Sequence, residues 1–149
     1  MVNTIKGLDR MISWITEKVA IGDSLDATNE EALKKEKIDC ILNLTIRWCP
    51  MEELLSDKLG ITYHHICVGR HQGLEPIKME LRTAVFLLDL LSGKFKKILV
   101  HCGAGIDRAP FVVAYWICTQ DYRSSTFIHR AYKTVKEKRP QIKEHMEWV

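Results

Sequence analysis

A cysteine and an arginine stand with five residues between them in His101-Cys102-Gly103-Ala104-Gly105-Ile106-Asp107-Arg108-Ala109-Pro110, between a strand-like run and a helix-like one. Gly103 and Gly105 permit positive φ and close approach of backbone, so successive N–H groups can curl toward one point at the positive end of the following helix. Such a nest fits phosphate. A cysteine at a helix N-terminus beside a guanidinium is favoured as thiolate, below the roughly 8.5 of a free thiol, which makes Cys102 a candidate nucleophile at neutral pH. Arg108 can grip two phosphate oxygens through its planar fork and stabilise charge as phosphorus is attacked. Pro110 suits the first helical turn, where its missing N–H is harmless. The bland reading makes Cys102 a small buried hydrophobe and Arg108 a solvated charge. The glycines, the histidine and the strand-to-helix context in register favour the chemical one.

The elements that must position this loop are legible as alternating patterns. Residues 18–22 read as a short strand, and the Ser/Thr-x-x-Glu spacing from Thr28 to Glu31 reads as a capping box opening a helix through residue 37. Residues 38–44 and 61–68 are β-rich apolar runs, consistent with strands buried on both faces, and residues 50–59 between them suit a short helix. Ile77, Leu81, Ala84, Val85, Leu88 and Leu91 recur at helical spacing, and Gly93 is placed to stop that helix. A compact strand over 97–100 follows, then helices over 110–119 and 125–138 and a short piece after Pro140. Strands alternating with helices predict one α/β domain over residues 1–149, with a central, mostly parallel sheet of about five strands flanked by helices on both faces. Such sheets bind ligands beyond the carboxyl ends of their strands, which points to the loop after Val100.

Composition narrows the classes. A chain of 149 residues with 46% hydrophobic and 28% charged residues has the make-up of a globular domain, which excludes fibrous and disordered classes. A net charge of +3 is too small to argue for nucleic-acid binding. The longest apolar run, 111–118, falls short of the roughly 18 residues of a membrane span, and the N-terminus lacks an apolar signal core, so a cytoplasmic protein is expected. Five cysteines without a CxxC pair suit a reducing compartment. Cys40, Cys67 and Cys118 lie in apolar runs and are expected in the core, with Cys49 more exposed. His64 and His65 are adjacent in a predicted strand, point to opposite faces and cannot share a metal there. Trp48 and Tyr63 are expected to pack, and the basic run 133–143 to form a solvated helix face.

The pattern His101-Cys102-x-x-Gly105-x-x-Arg108 resembles the signature of the cysteine-dependent protein tyrosine phosphatase superfamily, and the short chain is similar to its dual-specificity branch. Trp14, the AIG at 20–22, the ILNL at 41–44 and Arg139-Pro140 also resemble that branch. The resemblance implies a phosphocysteine on Cys102, with Arg108 and the N–H groups of Gly103, Ala104, Gly105, Ile106, Asp107 and Arg108 holding the phosphoryl oxygens. It implies no metal; no other cofactor is expected, and the expected partner is a phosphorylated protein or small phosphoester substrate, with a monomer and no membrane or nucleic-acid partner. The chemistry is covalent catalysis with water as second acceptor.

Two positions depart from the resemblance. The family places Ser or Thr after the arginine, where a hydroxyl supports the departing sulfur, and here that residue is Ala109. The Arg-Ala-Pro so formed resembles the loop of some plant glucan phosphatases, and slow turnover of the intermediate is expected. The family also expects a general-acid Asp on the lid before the long helix. No Asp occurs between Asp57 and Asp89, and Arg70 occupies the aligned position, where it suits phosphate contact. Asp107 is the favoured replacement, in an Asp-Arg ending similar to that of the myotubularin lipid phosphatases; otherwise it pairs with a basic neighbour and orders the loop. Glu75 and His71 on the lid are the alternatives. Competing functions are a phosphate-binding pseudophosphatase, or a phosphatase of glucan, RNA 5'-phosphate or lipid.

Overall fold

The computed structural model describes residues 11–69, 75–120 and 127–149. Strands β1 (Ser13–Trp14), β2 (Val19–Gly22), β3 (Cys40–Asn43), β4 (Thr62–His65) and β5 (Ile98–His101) form one sheet in the order β1-β2-β5-β3-β4. All neighbours run parallel except β1, which pairs antiparallel with β2 through Ser13 opposite Ile21 and Trp14 opposite Ala20. Helices α1 (Glu30–Lys35), α2 (Pro50–Leu59), α3 (Lys78–Ser92), α4 (Arg108–Gln120) and α5 (Phe127–Lys138) complete the fold.

Alternation along the strands feeds two cores. Val19, Ile21, Leu42, Ile98 and Val100 face one side, where Leu81, Leu88, Val112, Val113 and Val135 from α3, α4 and α5 meet them. Ala20, Ile41 and Leu99 face the other, against Leu33 of α1, with Leu55 and Leu59 of α2 at its margin. β2, β3 and β5 are buried at every position, which explains their uninterrupted apolar runs. The expected α/β fold, with its mostly parallel sheet of five strands, is the observed one.

Local expectations needed correction. Residues 26–28 form a 3₁₀ turn, so Asn29 rather than Thr28 caps α1, its side chain accepting the Ala32 N–H at 3.1 Å. The predicted strand at 61–68 shrinks to Thr62–His65 and is not buried on both faces, because β4 is the sheet edge. Cys67 is exposed and Cys118 half-buried, whereas Cys40 is core as expected. Trp48 is 65% exposed and donates its indole N–H to Glu53, so it does not pack as predicted. α4 starts at Arg108, two residues before the expected Pro110.

Candidate active site

The loop from Cys102 to Asp107 leaves the carboxyl end of β5 at the centre of the sheet and turns directly into α4. Cys102 is 2% exposed, and its Sγ accepts the backbone N–H of Ala109 at 3.4 Å. The sulfur thus sits at the N-terminal end of α4. Arg108 is swung toward the ends of β3 and β4, its Nη1 donating to Val68 O at 2.8 Å and Leu44 O at 3.4 Å. Those bonds fix one edge of the guanidinium at the helix end whose Ala109 N–H meets the sulfur.

Each turn of the loop is held from outside. Ser24 donates its backbone N–H to Gly103 O at 3.2 Å and its hydroxyl to Cys102 O at 3.4 Å. Gly105 has φ of 69°, and a Cβ there would lie 2.6 Å from both Gly22 O and an Arg139 nitrogen, so only glycine fits. Arg139 is buried after α5, its Nε donating to Gly105 O at 2.8 Å and its Nη1 to Met11 O and the Ser13 hydroxyl. Lys143 donates its backbone N–H to Ile106 O at 2.9 Å. Behind Cys102, the buried His101 pairs through Nε2 with Glu52, and its Nδ1 lies 3.3 Å from Cys102 O.

The structure brings together Cys102, the turn Gly103-Ala104-Gly105-Ile106, Asp107 and Arg108 in one loop. Asp107 Oδ1 is 2.7 Å from His145 Nε2, while the Asp107 side chain keeps 44% of its surface exposed. Glu75, exposed at the foot of α3, accepts the indole N–H of Trp148. Arg70 and His71 lie outside the described residues. Sequence reading missed Glu52, His145 and Trp148 as site neighbours; Arg139 carried a signal in the Arg-Pro pair, but not its task of holding Gly105. Local spacing holds no sign of these partners.

A mostly parallel α/β sheet that delivers a cysteine and an arginine to one loop at its carboxyl edge is the arrangement of a cysteine-based phosphatase domain. The dual specificity phosphatase catalytic-domain model matches residues 19–149, and the chain belongs to that family of cysteine-based protein phosphatases. Dual specificity protein phosphatase 14 of Mus musculus is 28% identical over 91% of this chain and 64% of its own length. Tyrosine-protein phosphatase vhp-1 of Caenorhabditis elegans is 28% identical over 88% of this chain and 19% of its own length. The chain therefore spans less than two thirds of these relatives. Crystal structures of a single-substitution variant of human DUSP28 (16% identity, TM-score 0.71, covering 93% of this chain and 88% of that one) and of DUSP15 (20% identity, TM-score 0.74, covering 93% and 83%) share the fold.

Proposed function

We propose that this chain hydrolyses phosphomonoesters on phosphorylated protein side chains through a phosphocysteine on Cys102. The observation that carries the reading is the Sγ of Cys102 at the N-terminus of α4, in register with Arg108. In the first step Sγ attacks phosphorus, the ester oxygen departs with its electron pair, and Asp107 at the rim of the loop supplies its proton. In the second step water attacks the phosphocysteine and the thiolate leaves. The backbone N–H groups of residues 103–108 and the Arg108 guanidinium hold the equatorial oxygens throughout. The names of the relatives support protein substrates over glucan, RNA 5'-phosphate or lipid. Free cysteines at all five positions suit a cytoplasmic setting, and we read the domain as a monomer that needs no cofactor.

A second reading, a pseudophosphatase that binds phosphorylated partners without turnover, draws on Ala109 beside the sulfur and on the pairing of Asp107 with His145. Hydrolysis of para-nitrophenyl phosphate separates the two. Wild type is expected to turn over and Cys102→Ser to be inactive, with one phosphocysteine trapped by acid quench in wild type. Full activity in Cys102→Ser removes the nucleophile assignment, and vanadate binding without turnover in wild type establishes the pseudophosphatase.

A further inference from the structure

The segment after α5 reaches three successive residues of the phosphate loop, through Arg139 on Gly105 O, the Lys143 N–H on Ile106 O and His145 on Asp107. His145 is the one of these groups that pairs with a carboxylate of the loop. Its ring stacks on Trp148 with centroids 3.8 Å apart and planes 5° from parallel, and its backbone N–H donates to the Tyr132 hydroxyl at 3.1 Å. Nδ1 lies 2.7 Å from a Glu147 oxygen and Nε2 lies 2.7 Å from Asp107 Oδ1. Two carboxylates, one on each nitrogen, are satisfied together only by an imidazolium that donates both protons. Burial works against that charge, yet the hydrogen bonds and charges of Asp107 and Glu147 outweigh it and hold His145 above its ordinary range. Glu144 and Glu147 from its own segment, Asp107 from the loop and the Tyr132 phenol from α5 lie in this neighbourhood, with Glu75 on the far side of Trp148. Lys143 is two residues away and exposed.

We propose that Asp107 and His145 act as one unit that carries the leaving group's proton, with Asp107 the catalytic group that touches substrate and His145 the positioning residue that holds and replenishes it. This rests on the phosphatase reading above and on Asp107 as its acid. A carboxylate paired with an imidazolium is a poor proton donor on its own; shared, the pair holds one transferable proton. Of the two carboxylates on the ring, Asp107 is the one that lies in the loop with Cys102, and its exposed surface is open to a substrate, so the proton delivered to the reaction passes through it. As the S–P bond forms and the P–O ester bond breaks, the leaving oxygen takes the proton and the unit is left as carboxylate and neutral imidazole. When water attacks phosphorus and the S–P bond breaks, the proton lost by water returns to the unit. A family member without a lid aspartate thereby keeps acid and base function inside its phosphate loop.

The test uses the full chain and compares kcat/KM, which reports the first step, for phenyl phosphate and for the activated para-nitrophenyl phosphate, with vanadate affinity measured alongside. His145→Gln preserves a hydrogen-bond donor toward Asp107 but has no proton to give. It is expected to lose about 10- to 100-fold on phenyl phosphate, with a much smaller loss on the activated ester and unchanged vanadate affinity. Asp107→Asn is expected to show the same selective loss. Exposed Glu147→Gln removes one charge that favours imidazolium, so the basic limb of the phenyl phosphate pH profile should move to lower pH. Equal losses on both esters in His145→Gln, together with weakened vanadate binding, mean that the ring only orders the loop and overturn the inference; so does a basic limb unmoved in Glu147→Gln. If Asp107→Asn is selective while His145→Gln matches wild type, the inference fails and the acid assignment stands. If Asp107→Asn leaves the ratio of the two kcat/KM values unchanged, the acid assignment falls and the inference with it.

Discussion

Ala109 offers the sulfur of Cys102 a backbone N–H at 3.4 Å and nothing else, because its fully buried side chain ends at a methyl. Attack on phosphorus consumes the charge on sulfur, so that step does not suffer from the missing hydroxyl. Departure of sulfur from the phosphocysteine does, since each added hydrogen bond to the leaving group lowers that barrier selectively. A hydrogen bond to a developing thiolate worth about 1 kcal/mol corresponds to about a fivefold change in rate. Wild type should therefore show a burst of nitrophenol followed by a slower steady state in rapid-mixing experiments, and Ala109→Ser should shrink the burst and raise kcat about fivefold. Identical steady-state rates, with no burst in either protein, would mean that breakdown of the intermediate does not limit turnover.

At the scale of the element, the phosphate loop is a short turn whose shape is imposed from β2 and from the segment after α5. Gly105 is its tightest point, and a methyl group there would meet both Gly22 O and Arg139. Gly103 differs, since a Cβ at that position would have only an Arg108 nitrogen near it, at 3.6 Å. Gly105→Ala is thus expected to cost roughly 1–3 kcal/mol and to abolish vanadate binding, whereas Gly103→Ala should retain both fold and ligand; comparable melting temperatures for the two variants would contradict this account. The contrast also marks what local pattern could disclose. β2, β3 and β5 announce themselves because central parallel strands must be apolar on both faces, and the loop announces itself because its glycines, Cys102 and Arg108 are all local to one turn. The edge position of β4 depends on strand order, which no run of residues encodes, and so its half-exposed surface was misjudged. β1 is two residues long and exists only through its pairing with β2. The grip of Arg139 on Gly105 spans 34 residues and the pairing of His145 with Asp107 spans 38, distances at which periodicity and spacing say nothing.

Over the whole molecule, the same packing that shapes the site makes the fold bind protons. Asp26 is buried below the loop after β2, where its Oδ2 accepts the Asp23 N–H at 2.8 Å and its own N–H donates to Asp23 Oδ1 at 2.8 Å. Burial pushes its carboxyl up to about 6; the N–H of Asp23 opposes this, the Asp23 charge adds to it, and the charge of Arg139 draws it back. The folded state therefore keeps a proton that the unfolded chain has released. The stability this group contributes is complete below the ordinary aspartate value of 3.8 and is lost as pH rises through about 6. His145 has the same sign in a higher window, its contribution being complete below 6.5 and lost as pH rises through the higher value that Asp107 and Glu147 impose. Glu30 and Glu147, both held below the ordinary glutamate value by basic partners, act oppositely and only at more acid pH. The melting temperature should thus fall in two stages as pH is raised, the lower one on the order of 1–2 kcal/mol after screening by solvent, or a few degrees for a domain of this size. Calorimetry across pH checks the assignment, because Asp26→Asn should remove the lower stage alone and His145→Gln the upper stage alone. A wild-type profile that is flat through both windows, or a lower stage that survives Asp26→Asn, would show that these buried groups do not set the proton balance of the fold.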